Sequence, residues 1–161
     1  SVVKDEADII EDFVGHTLRH VDHMVIADHG STDGTLDILH KLAFCQPMTV
    51  VNEHRIGYRQ WEMMTDLASI AGDLGADWVL PADADECWTV VGGGAVRGRL
   101  AEVDDRYEAV SALRWNHVRT GLDVPGCRSP RWRGAVRSPS RRPRSRSDGV
   151  EVPSCIRVTT A

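Results

Sequence analysis

The chain has 161 residues, of which 42% are hydrophobic and 27% charged, a length and balance that suit one globular domain with a sizeable core. Its apolar runs are too short for a transmembrane helix, and residues 1–6 turn acidic where a secretory signal would carry its apolar region. Four cysteines without a CxxC pair argue against a zinc ribbon or a disulfide framework, so a soluble, cytoplasmic protein is expected.

The net charge of −5 conceals a split: residues 1–125 carry −12 and residues 126–161 carry +7. Two segments are therefore expected, a domain over 1–125 and an Arg/Ser/Pro-rich tail over 126–161. In the first, Val2-Val3 reads as a short strand. Ile10, Phe13, Val14, Leu18 and Val21, spaced by three and four, predict an amphipathic helix over 8–21. Met24-Val25-Ile26-Ala27 is a continuous apolar run, the pattern of a strand buried on both faces. It stops at Asp28-His29-Gly30-Ser31-Thr32-Asp33-Gly34-Thr35, rich in turn and capping residues, before a second helix bearing Leu36, Leu39 and Leu42.

Met48-Thr49-Val50-Val51 predicts the next strand, and Trp61, Met64, Leu67, Ala68 and Ala71 a third helix. The strand Trp78-Val79-Leu80 runs into Pro81-Ala82-Asp83-Ala84-Asp85-Glu86, and a Gly-rich loop (Gly92, Gly93, Gly94) leads to a helix over 97–106 and a strand over 109–115. This alternation predicts an α/β fold with a mainly parallel sheet covered on both faces. From residue 126 onward the pattern fails: 19 of 36 residues are Arg, Ser or Pro. Such a segment buries too little apolar surface to offset its ordering entropy, so a disordered or loosely packed tail is expected.

Ligands of open α/β sheets sit beyond the carboxyl ends of the strands, where three acidic groups fall: Asp5 and Glu6, Asp28 and Asp33, then Asp83, Asp85 and Glu86. Carboxylates crowded at one edge repel unless a cation lies among them, and Mg²⁺ or Mn²⁺ would fill that role while leaving positions for phosphate oxygens. The same residues equally suit loop solvation and helix capping, Asp33 and Thr35 above all.

The stretches Val2-Val3-Lys4-Asp5-Glu6, Ile26-Ala27-Asp28-His29-Gly30-Ser31-Thr32-Asp33-Gly34-Thr35 and Asp77-Trp78-Val79-Leu80-Pro81-Ala82-Asp83-Ala84-Asp85-Glu86, in this order, resemble family 2 glycosyltransferases over about residues 1–120. The resemblance implies an A-type glycosyltransferase fold with a Rossmann-like, mainly parallel sheet, and an inverting transfer of sugar from a nucleotide-diphosphate donor. It assigns Glu6 and Asp28 to the nucleoside pocket. Asp85, supported by Asp83, would bind the diphosphate through Mn²⁺ or Mg²⁺, and Asp83 would also face the nucleotide. The acceptor, whether saccharide, lipid or protein, is left open.

His29 stands where the family often has Asn or Asp. The family draws its general base from the acceptor half, where Asp123 and Glu151 are the main carboxylates and match no family motif. No catalytic base is assigned. Two other readings fit parts of the pattern. One is a catalytically incomplete nucleotide-binding domain with the basic tail as an interaction arm. The other is a phosphohydrolase with Asp83 as nucleophile and Asp85 as acid–base, although Cys87 stands where that class carries Thr or Val.

His16, His20 and His23 are expected on an exposed helix flank rather than around a metal. Trp61, Trp78, Trp88 and Trp115 are expected mostly in the core, with Trp88 also a candidate for the sugar-pocket wall. Gly92-Gly93-Gly94 fits neither GxGxxG nor a P-loop. With Trp132 its one aromatic, the tail offers electrostatic attraction to anionic partners without base stacking, and no specific nucleic acid is expected.

Overall fold

A computed structural model describes residues 1–54, 57 and 59–112, and the backbone of three further short strands. The element order is β1 (Val2–Val3), α1 (Ile10–Thr17), β2 (Met24–Asp28), α2 (Thr35–Ala43), β3 (Met48–Asn52), α3 (Gln60–Asp73), β4 (Trp78–Val79), α4 (Val96–Leu100), β5 (Ala109–Val110), β6 (His117–Val118), β7 (Val136–Arg137) and β8 (Cys155–Arg157). No helix among the described residues is long and apolar enough to cross a membrane.

The protein is mixed α/β, built on a three-stranded parallel sheet in the order β1-β2-β3. Val2 pairs with Ala27 and Val3 with Asp28, while β2 runs in register with β3 from Met24↔Met48 to Asp28↔Asn52. Because strand side chains alternate in direction, the apolar run of β2 serves two cores. Met24 and Ile26 join Val3, Ile10, Phe13, Val14, Leu39 and Met48 beneath α1 and α2. Val25 and Ala27 join Val2, Met63 and Leu67 beneath α3. Helices on both faces explain why β2 lacks polar alternation. Ile10, Ile26 and Leu39 are fully buried, each contributing about 1.5–3 kcal/mol of transfer free energy.

The local signals explain the helix starts. Glu11 and Asp12 sit in the first turn of α1, where carboxylates favour the helix dipole. Gly34 precedes α2 at φ 101°, a left-handed conformation that a side chain would oppose.

Several expectations are corrected. The first helix ends at Thr17 rather than 21, and the fourth is confined to Val96–Leu100 rather than 97–106. Among the described residues β4 and β5 do not join the parallel sheet: both pair antiparallel with β8, in the order β4-β8-β5. Trp61 is 80% exposed, because it lies on the side of α3 opposite Met63, whereas Trp78 and Trp88 pack partly buried against Val96 and Leu100. Trp115 and the expected loose packing of the tail lie outside the described residues, apart from the backbone of β7 and β8.

Candidate functional site

The carboxyl ends of β1 and β2 are joined by their loops. Asp5 N–H donates to Ser31 Oγ at 2.9 Å, Glu6 N–H to Thr35 Oγ1 at 2.8 Å, and Ala7 N–H to Asp33 Oδ2 at 2.9 Å. In return Asp5 Oδ1 accepts from Thr32 N–H at 2.7 Å. Asp33 Oδ1 also accepts from the backbone N–H and hydroxyl of Thr35. Asp33 thus closes the loop and caps α2; hydrogen bonds from the Thr35 hydroxyl and then from Ala7 N–H hold its carboxyl below the usual range. Asp5 takes a positive φ of 55°, a conformation Asp tolerates better than most residues, and its bonds to the 31–32 turn fix it there.

This clasped pair of loops presents Glu6 toward the turn that follows β4. Val2, Val3, Lys4, Glu6, Gln60, Asp83, Ala84 and Asp85 line one cleft of about 380 Å³. Three of the four predicted site residues are therefore brought together: Glu6, Asp83 and Asp85. Within the turn, Asp83 Oδ1 accepts from Gln60 Nε2 at 3.3 Å, Glu86 N–H donates to the Asp83 carbonyl at 2.9 Å, and Glu86 Oε2 accepts from Asp83 N–H at 3.3 Å.

Asp28, the fourth, is not among the lining residues. It ends β2 beside Val3 and is 2% exposed. Its Oδ2 accepts from Ser31 N–H at 3.0 Å, and its Oδ1 is buried with no hydrogen-bond partner among the described residues. A buried carboxylate oxygen without a donor is costly, so a ligand donor at this position would stabilise it.

Sequence reasoning missed Lys4 and Gln60. Lys4 directly precedes the Asp5-Glu6 pair, and Gln60 opens α3; neither forms a motif, and only the packing of α3 against β1 and β2 brings Gln60 to the cleft.

The electrostatics show an unbalanced acidic edge. Partial burial raises the Glu6 pKa, and repulsion from Asp8, Asp85, Asp33 and Asp5 acts in the same direction. Hard carboxylate oxygens under mutual repulsion fit a divalent cation, the donor chemistry that Mg²⁺ and Mn²⁺ take. Among the described residues no three His, Cys, Asp or Glu side chains form a ready cage. A cation held by Asp83 and Asp85 would therefore draw its other ligands from phosphate and water.

Of the histidines, His20 departs from expectation: it lies past the end of α1 and is buried, with the start of α4 against it. His23 is exposed as expected and bonds Thr49 Oγ1 at 2.9 Å. Trp88 lies outside the cleft lining and packs partly buried on the core beneath α1 and α2 and against Val96 and Leu100.

No protein-family model matches this chain, and no curated protein or solved structure is detectably similar to it.

Proposed function

We propose that the cleft is the donor site of a nucleotide-sugar-dependent glycosyltransferase, and that the chain carries the donor-binding part of a Rossmann-like, A-type enzyme acting on an unspecified acceptor. One observation carries the reading: Glu6, Asp83 and Asp85, from two motifs nearly eighty residues apart, line one cleft at the carboxyl edge of a parallel sheet. The buried Asp28 Oδ1 on the adjacent strand, without a partner among the described residues, supports it.

In this reading Asp28 and Glu6 receive hydrogen bonds from the nucleoside. Glu6 suits a hydroxyl partner because burial and its acidic neighbours favour a hydrogen-bonded over a free carboxylate. Asp83 and Asp85 would hold Mn²⁺ or Mg²⁺, and such a cation offsets charge developing on a leaving diphosphate. Gln60 orients Asp83 through its amide. No base is assigned, and the downstream carboxylates Asp123 and Glu151 lie outside the described residues, so the proposal concerns donor binding, with an inverting transfer expected from the resemblance. The cytoplasm is the proposed location.

Calorimetric titration of uridine and guanosine diphosphates, with Mn²⁺ and then with EDTA, tests the reading. Binding that requires the metal and is lost in Asp85→Ala is expected, with the fold unchanged because Asp85 lies on a turn outside the cores. Equal binding by the variant, or none by a folded wild type, would overturn it.

A further inference from the structure

The segment leaving the carboxylate turn is fastened to the end of α1 by two histidines. His16 Nε2 meets the Trp88 carbonyl at 2.7 Å. A carbonyl only accepts, so Nε2 carries the hydrogen and Nδ1 is the lone pair that takes Arg19 Nη2 at 3.0 Å. His20 Nδ1 accepts the Val96 N–H at 3.4 Å, which fixes it as the same tautomer. The two rings stand 4.9 Å apart between centroids. Arg97 completes the fastening: its N–H donates to the His20 carbonyl at 3.0 Å, and its guanidinium donates to the Arg19 and Val21 carbonyls, both at 3.2 Å. Between the two fastened points run Gly92, Gly93 and Gly94, all at positive φ, a conformation only glycine adopts readily.

His20 acts on the segment through an unprotonated Nδ1 aimed at the Val96 N–H, whereas His16 acts on it through Nε2–H and turns its Nδ1 to Arg19 of its own helix end. A proton on His20 Nδ1 would set donor against donor. We propose that His16 and His20 clasp residues 88–97 behind the Asp83–Asp85 turn, that the His20 contact is the acid-labile half of the clasp, and that acid opens it and weakens donor binding there. The effect on donor binding rests on the donor-site reading; the clasp does not.

The charges facing His20 all oppose its protonation. Burial contributes most to lowering its pKa, followed by His16 and Arg19 from the end of α1 and Arg97 from α4. Asp22, the nearby acid, is paired with Arg97 at 3.4 Å. Just before the clasped segment Cys87 lies within electrostatic reach of Arg19, and burial raises its thiol pKa, so it brings no negative charge to the histidines at neutral pH.

Hydrogen exchange over residues 88–100 of the whole chain tests the clasp, with rates normalised to an unstructured peptide at about pH 7.5 and about pH 5.5. Protection should fall by about tenfold on acidification, the equivalent of one hydrogen bond. In His20→Asn, whose side-chain oxygen can accept from Val96 N–H without titrating, it should stay the same at both values. Unchanged wild-type protection, or an equal fall in the variant, would overturn the clasp. Should the variant not fold, wild-type NMR decides: the His20 ring and the Val96 amide must titrate together, and separate midpoints refute the clasp. A parallel titration with uridine diphosphate and Mn²⁺ should weaken with acid in wild type only. Absence of nucleotide binding at both values would sink the donor reading and leave the exchange result to decide the clasp.

Discussion

Replacing Thr35 by Val removes one hydroxyl while keeping the shape of a fully buried side chain. That hydroxyl accepts from Glu6 N–H at 2.8 Å and donates to Asp33 Oδ1. The isosteric methyl leaves no cavity, so the cost falls on the part-buried Glu6 amide, which loses its acceptor. An unsatisfied amide costs about 1–3 kcal/mol, and its partial access to water puts the expectation at about 2 kcal/mol. For a chain of this size that is a fall of about 4–8 °C in Tm.

Chemical denaturation of wild type, Thr35→Val and Thr35→Ser would measure it. The serine variant keeps the oxygen and should lose only the methyl's packing, about 1 kcal/mol. Acid adds a second signature. The folded-state pKa of Asp33 is lowered, so its stabilisation is present above the unfolded carboxylate range and is lost as pH falls through the folded value. Without the Thr35 hydroxyl, the largest cause of that lowering, the acid limb should shrink. If the valine variant were as stable as wild type, or the serine variant equally destabilised, the loop lock would not rest on this hydroxyl.

Leu39→Ala, at a fully buried position beneath the sheet, should cost about 2–5 kcal/mol through lost burial and a residual cavity, read from the denaturation midpoint. Trp61→Gln should change stability by no more than about 0.5 kcal/mol, since the ring is exposed; a larger loss in the same assay would place it in a packed interface.

How far the fold could be read depended on whether the determining contacts were local. The run Met24-Val25-Ile26-Ala27 announces burial on two faces because each face needs every second residue, and both cores use it. Trp78-Val79-Leu80 carries the same local signal, yet β4 pairs with β8 more than seventy-five residues away. Strand pairing depends on the partner and the faces available, which a strand's own residues do not name. Trp61 was misplaced because α3 buries a narrow stripe through Met63 and Leu67, and a bulky residue beside that stripe resembles a member of it. His20 departs from the expected exposed flank because that expectation needs a helix to 21, whereas α1 stops at Thr17. Of the site, the carboxylates were legible as types in motifs; Lys4 and Gln60 were not, since ordinary residues become part of a cleft only through packing.

The 28–35 loop divides its polar residues between two tasks. Ser31, Asp33 and Thr35 engage the 5–7 backbone and the start of α2 with their side chains, and the Thr32 amide donates to the Asp5 carboxylate. Satisfied in this way, they have little left to offer a ligand. Asp28 does the reverse: one oxygen accepts from Ser31 N–H and the other is buried with no partner among the described residues. A loop that only needed to turn could carry an apolar residue at the end of β2 without that cost. Paired loops that immobilise the Glu6 backbone while leaving the Asp28 oxygen unpaired have the form expected of preorganised binding, in which rigidity comes from neighbours and the exposed or orphaned groups meet the ligand. Thr35→Val and Asp28→Asn should therefore separate: the first lowers stability and nucleotide affinity together, and the second lowers affinity with stability retained or raised. A loss of stability in Asp28→Asn comparable to that in Thr35→Val would make the Asp28 carboxylate part of the lock as well.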